Sequence, residues 1–122
     1  MTTPGGADPS RASAPELVVV NRFRVEDADA DEFAVQARAA LDALARRPGH
    51  LTGHLGRNLD EPGLWLVSTT WADVGSYRRA LSAYDVKVTA VPLLSRAVDE
   101  ASAYEEVRPG VPTNEQQPRR LG

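Results

Sequence analysis

The stretch LARRPGHLTGHLGRNLDEPGLWLVSTTWADVGSYRRAL, Leu44 to Leu81, holds the end of a helix, a break, two strands and the start of a second helix. Pro48-Gly49 ends the first helix, because proline cannot continue the hydrogen-bond ladder and glycine accepts unusual dihedrals. HLTGHLGRNL then alternates strictly. Leu51, Gly53, Leu55, Arg57 and Leu59 are expected on one face, opposite His50, Thr52, His54, Gly56 and Asn58. Asp60-Glu61-Pro62-Gly63 reads as a turn, with proline fixing one φ and glycine freeing the next. LWLVSTTW, Leu64 to Trp71, is the returning strand of an antiparallel hairpin. Asp73 can cap the helix that follows, which carries Val74, Tyr77, Arg78 and Leu81.

Working outward, ELVVVNRFRV (Glu16 to Val25) is β-branched and reads as a strand. Its alternation places Leu17, Val19, Asn21, Phe23 and Val25 on one face, with Val18, Val20, Arg22 and Arg24 on the other. Asn21 is the polar exception among four apolar residues. Asp29 or Asp31 can cap a helix running to about Arg47, in which Phe33, Ala37, Leu41 and Leu44 share one face. After Ala83 the pattern weakens into a short helical or irregular segment broken at Pro92, and Ala101 to Val107 reads as a last strand. The order β-α-β-β-α-β predicts an α+β, ferredoxin-like antiparallel sheet. The domain spans residues 16–108, and the Pro- and Gly-bearing segments 1–15 and 109–122 read as disordered tails.

Composition narrows the function. The 122 residues fit one domain, and 42% hydrophobic with 25% charged residues is ordinary for a soluble protein. A net charge of −3 and only 6% aromatic residues argue against nucleic-acid binding. No cysteine is present, which removes disulfides, thiolate catalysis and Cys-ligated metals. No apolar run reaches the roughly 20 residues of a membrane span, and the N-terminus lacks the apolar core of a secretory signal, so the cytoplasm is the expected location.

The order of elements across the quoted stretch, a first-strand asparagine (Asn21), a strand-end tryptophan (Trp71) and a tyrosine six residues further on (Tyr77) together resemble the antibiotic biosynthesis monooxygenase family of dimeric α/β barrels. The resemblance covers residues 16–108. It implies a homodimer in which two sheets pack face to face, an arrangement that covers the second sheet face and removes exposed edges. It also implies an oxygenase that needs no cofactor and oxidises a phenolic polycycle to a quinone, the substrate itself reducing dioxygen. Asn21, Trp71 and Tyr77 would then be catalytic, orienting the phenol and stabilising a developing phenolate. Val19, Phe23, His50 and His54 would line the substrate site.

Each of these residues also has a structural reading. Trp71 buries a large area and needs one hydrogen-bond partner, Tyr77 is a helix-face aromatic, and a buried Asn21 needs partners of its own. A non-catalytic ligand-binding or dimeric scaffold module is therefore the competing class. The haem-degrading branch of the family shares the asparagine and tryptophan but requires a histidine late in the second helical region. Tyr84 to Arg96 contains none, with Ala90 or a neighbour in its place. His50 and His54 sit four apart, and on a regular strand they would point the same way about 13 Å apart, too far to share a metal ion. No metal site is expected.

Overall fold

The computed structural model describes residues 14–113, and residues 1–13 and 114–122, most of the two expected tails, lie outside them. In chain order the elements are β1 (Leu17–Arg24), α1 (Ala30–Ala45), β2 (His50–Arg57), β3 (Leu64–Trp71), α2 (Val74–Ser82), α3 (Tyr84–Thr89), α4 (Val91–Leu94) and β4 (Ala103–Glu105), with a 3-10 turn at Asp27–Asp29. The strands form one open sheet in the order β2-β3-β1-β4, with each neighbouring pair antiparallel. This is the expected ferredoxin-like arrangement. The region after Ala83 forms two short helices, α3 and α4, divided at Ala90, with Pro92 in the first turn of α4, where its missing N–H has no intrahelical role.

One face of the sheet carries the helices. On β3, Trp65, Val67, Thr69 and Trp71 are buried while Leu66, Ser68 and Thr70 are partly exposed, the period of two expected for a strand with one covered face. Phe33, Ala37, Ala40, Leu41, Ala43 and Leu44 of α1 are buried against it. The anticipated stripe is thus widened by two alanines, small enough to let the helix lie close to the sheet. α2 starts at Asp73, whose Oδ1 accepts the Ser76 backbone N–H at 2.8 Å. That bond satisfies one of the donors every helix N-terminus leaves open.

The hairpin turn is organised differently from its sequence reading. Gly63 does not adopt positive φ; among the described residues only Gly49 and Gly110 do. Instead, the Asn58 side-chain oxygen accepts the N–H groups of both Asp60 and Glu61 at 2.8 Å. An asparagine can do this because its side chain mimics a backbone carbonyl.

A second correction concerns His50 and His54, which do not share a face. His50 pairs with Trp71 and Thr52 with Thr70, so Leu51 is an extra residue and the alternation slips by one. His50 therefore turns to the helix side, whereas His54, paired with Ser68, stays exposed on the open side. The slip arises because β2 begins while still tied into the preceding turn. His50 N–H donates to the Arg47 carbonyl, and Gly49 has φ +89° while its carbonyl accepts the Ala72 N–H.

Candidate active site

The covered face of the sheet has an aromatic cluster at each end. At one end the Trp71 ring, 0% exposed, meets His50 edge-on with centroids 5.1 Å apart and packs against Tyr77 at 5.6 Å. Strand β3 delivers Trp71, the bulge turns His50 towards it, and the first turns of α2 deliver Tyr77. At the other end Phe33 of α1 bridges Phe23 at 5.0 Å and Trp65 at 5.4 Å.

The first cluster contains groups with usable chemistry. Burial pushes the Tyr77 phenol above its ordinary value of 10.0, so it stays protonated at neutral pH, and its hydroxyl has no hydrogen-bond partner among the described residues. It is a donor without an internal acceptor. Burial also lowers the His50 imidazole below its ordinary value of 6.5, which keeps it neutral, and its Nε2 is buried without a partner. The Trp71 indole differs. Its Nε1–H donates to Thr69 Oγ1 at 2.8 Å within the core, so its one donor is already committed. Trp71 acts here as an apolar wall of fixed orientation.

Among the other expected site residues, Val19 and Phe23 lie on the helix side and are each 1% exposed. Asn21 lies between them on the same face, partly exposed, opposite Val67 in the register. Trp71 pairs with Leu17, four residues from Asn21 along β1 and about 13 Å of strand away. The fold thus joins Trp71, Tyr77 and His50 in one cluster and sets Asn21, on the same face, nearer the other. His54 lies apart on the open face with Thr52, Val20, Arg22 and Tyr104. There Arg22 makes a two-pronged ion pair with Glu100 at 2.6 and 2.7 Å, beside a shallow depression of about 430 Å³ lined by Val20, Ala101 and Tyr104.

Thr69 and Trp65 were not singled out in the sequence as site residues. Both fall on the inward positions of LWLVSTTW, so the alternation that places Trp71 also places them. Among the described residues no three histidine or acidic side chains converge as a metal site, and no helix is long and apolar enough to cross a membrane.

Comparison with known proteins supplies a family. A model described as antibiotic biosynthesis monooxygenase matches residues 16–90. SnoaB, a cofactor-independent oxygenase from Streptomyces nogalater, is 30% identical, with a TM-score of 0.58 over 76% of this chain and 88% of SnoaB. A SnoaB variant gives 28% identity and a TM-score of 0.61 over 85% and 97% of the two chains. A conserved protein from Methanosarcina mazei Go1 has a TM-score of 0.65 at 20% identity, covering 78% of this chain and 96% of its own, a likeness of fold alone. No curated protein sequence matches the chain.

Proposed function

Because the chain belongs to the antibiotic biosynthesis monooxygenase family, we propose that it is a cofactor-independent monooxygenase that converts a phenolic polycyclic aromatic into a quinone. The observation that carries this reading is Tyr77, whose ring is buried against the fixed ring of Trp71 and whose protonated hydroxyl has no internal acceptor. A donor left open beside apolar aromatic walls can stabilise negative charge that develops on a substrate oxygen once the bound substrate has displaced water. The likeness to SnoaB adds support.

In this reading an anthrone-type substrate loses a proton and becomes an electron-rich phenolate. The anion reduces dioxygen and a carbon–oxygen bond forms at the reacting methylene carbon. Loss of water from the resulting hydroperoxide leaves the new carbonyl. Four electrons pass from the carbon to dioxygen, one oxygen atom stays in the quinone, and the other leaves as water with the two methylene hydrogens. Tyr77 holds the phenolate oxygen, neutral His50 can accept the proton, and Asn21, Val19 and Phe23 border the space for the remaining rings. Two copies are proposed to join through the open sheet faces, the surface that carries His54.

A non-catalytic ligand-binding or scaffold module is the second reading, favoured by the commitment of the Trp71 N–H to Thr69. The two are told apart by supplying ¹⁸O₂ and an anthrone to chelator-treated protein. One labelled oxygen per quinone, formed well above the buffer rate, supports the oxygenase; unaccelerated oxidation supports the module.

A further inference from the structure

Besides Tyr77 and His50, two further side chains on the helix-covered face have hydrogen-bonding capacity that the fold leaves unused. Trp65 is 9% exposed, and its Nε1 is buried with no partner. Buried donors are almost always paired, so an exception calls for a reason. It is not a general feature of tryptophan on this sheet, since Trp71 on the same face of the same strand bonds Thr69. Asn21 is the second. Its neighbours on that face, Val19 and Phe23, are each 1% exposed, yet Asn21 is partly exposed and its amide has no partner among the described residues. Solvent therefore reaches the helix-covered face at Asn21, between two sealed apolar neighbours.

The register joins the two. Asn21 is opposite Val67 and Phe23 is opposite Trp65, so Asn21 and Trp65 are diagonal neighbours, about 7–8 Å apart at Cα. The Arg57 guanidinium stands over the Trp65 ring, 5.0 Å from its centroid, anchored by the Pro62 carbonyl at 2.6 Å. A cation on the π face draws electron density from the indole and makes its N–H a stronger donor.

We infer that Asn21 and Trp65 form a polar clamp for one acceptor oxygen, a carbonyl or phenolate, on a fused-ring aromatic ligand. Asn21 meets the oxygen from the solvent-reached side, and the Trp65 N–H meets it one diagonal step inside. The inference rests on reading the layer between sheet and helices as the ligand site, and it adds what that site selects. An oxygen held at the level of Asn21 lies about 13 Å of strand from Trp71, the reach of a fused polycycle rather than of a single ring. The clamp therefore reads a substituent remote from the phenolate oxygen that Tyr77 holds.

The test uses ¹⁵N-labelled full-length protein, whose two tryptophans give two indole N–H resonances, assigned with Trp65→Phe. The probes are 2-hydroxyanthraquinone and its unsubstituted parent. The hydroxylated probe should bind about tenfold tighter and shift the Trp65 indole proton downfield while moving Trp71 less. Trp65→Phe, and separately Asn21→Ala, should reduce that preference towards unity, with the Trp71 resonance reporting that each variant is folded. The inference is overturned if the Trp65 resonance is unmoved by bound probe, if Trp65→Phe keeps the full preference, or if neither probe binds. These readouts need no turnover. An inactive protein whose Trp65 still distinguishes the probes ends the oxygenase reading and leaves the clamp, whereas an active one whose Trp65 does not ends the clamp alone.

Discussion

Thr69→Val isolates the bond that fixes the Trp71 ring. Thr69 is 3% exposed and its Oγ1 accepts the Trp71 N–H at 2.8 Å, and valine has nearly the same shape without the acceptor. Leaving a buried N–H unpaired costs about 1–3 kcal/mol. The methyl that replaces the hydroxyl returns up to about 0.8 kcal/mol of apolar burial. With the full return the net loss is about 0.2–2.2 kcal/mol, which for a domain of this size lowers Tm by about 1–18 °C. In a Trp71→Phe background no indole N–H exists to be stranded, so Thr69→Val should be neutral or slightly stabilising there. Thermal unfolding of the four proteins at one fixed concentration gives the coupling directly. Equal costs of Thr69→Val in both backgrounds, or no cost in either, would show that Thr69 does not hold the Trp71 N–H.

Gly49→Ala forces an alanine into φ +89° and against the Ser76 side chain. The left-handed backbone costs about 1–2 kcal/mol and the overlap about 1–3 kcal/mol, so the urea midpoint should fall with m unchanged, and an unmoved midpoint contradicts this. Between its depressed native value and 6.5, His50 holds fewer protons folded than unfolded, so stability should be full above 6.5 and decline as pH falls through that window. His50→Leu should flatten that part of the stability–pH curve, and parallel curves for variant and wild type would count against burial of a neutral imidazole. Val20→Asp, on the open sheet face, should convert a dimer of twice the 13.2 kDa chain mass into a monomer by light scattering. A wild-type protein that is already monomeric removes the proposed interface.

Regular patterning carried most of the fold. Leu64–Trp71 and the Phe33, Ala37, Leu41, Leu44 stripe repeat with the periods of a strand and a helix, and both occur as expected. His50 was misplaced because a bulge leaves no mark in a strictly alternating segment. The slip depends on the dihedrals of Gly49 and on the Arg47–His50 turn, which are products of packing. The hairpin turn likewise rests on the Asn58 side chain, whereas Pro62 and Gly63 are the louder signals. In the candidate site, alternation correctly turned Asn21 inward with Val19 and Phe23. Which tryptophan keeps a free N–H is another matter. It depends on Thr69 lying within reach of Trp71 and on no acceptor reaching Trp65, facts of three-dimensional contact that spacing does not encode.

The proposed chemistry has this chain oxidise an aromatic substrate with its own side chains and dioxygen. Its most direct test is oxygen uptake during oxidation of an anthrone by wild-type protein and by Tyr77→Phe, both dialysed against chelator and free of added flavin, metal or nicotinamide. One dioxygen should be consumed per quinone, at a rate well above buffer. Tyr77→Phe, matched in Tm, should slow it by about ten- to a thousandfold, the loss of a transition-state hydrogen bond of about 1.4–4 kcal/mol. Uptake at the buffer rate, or a Tyr77→Phe variant as fast as wild type, would contradict the proposed chemistry.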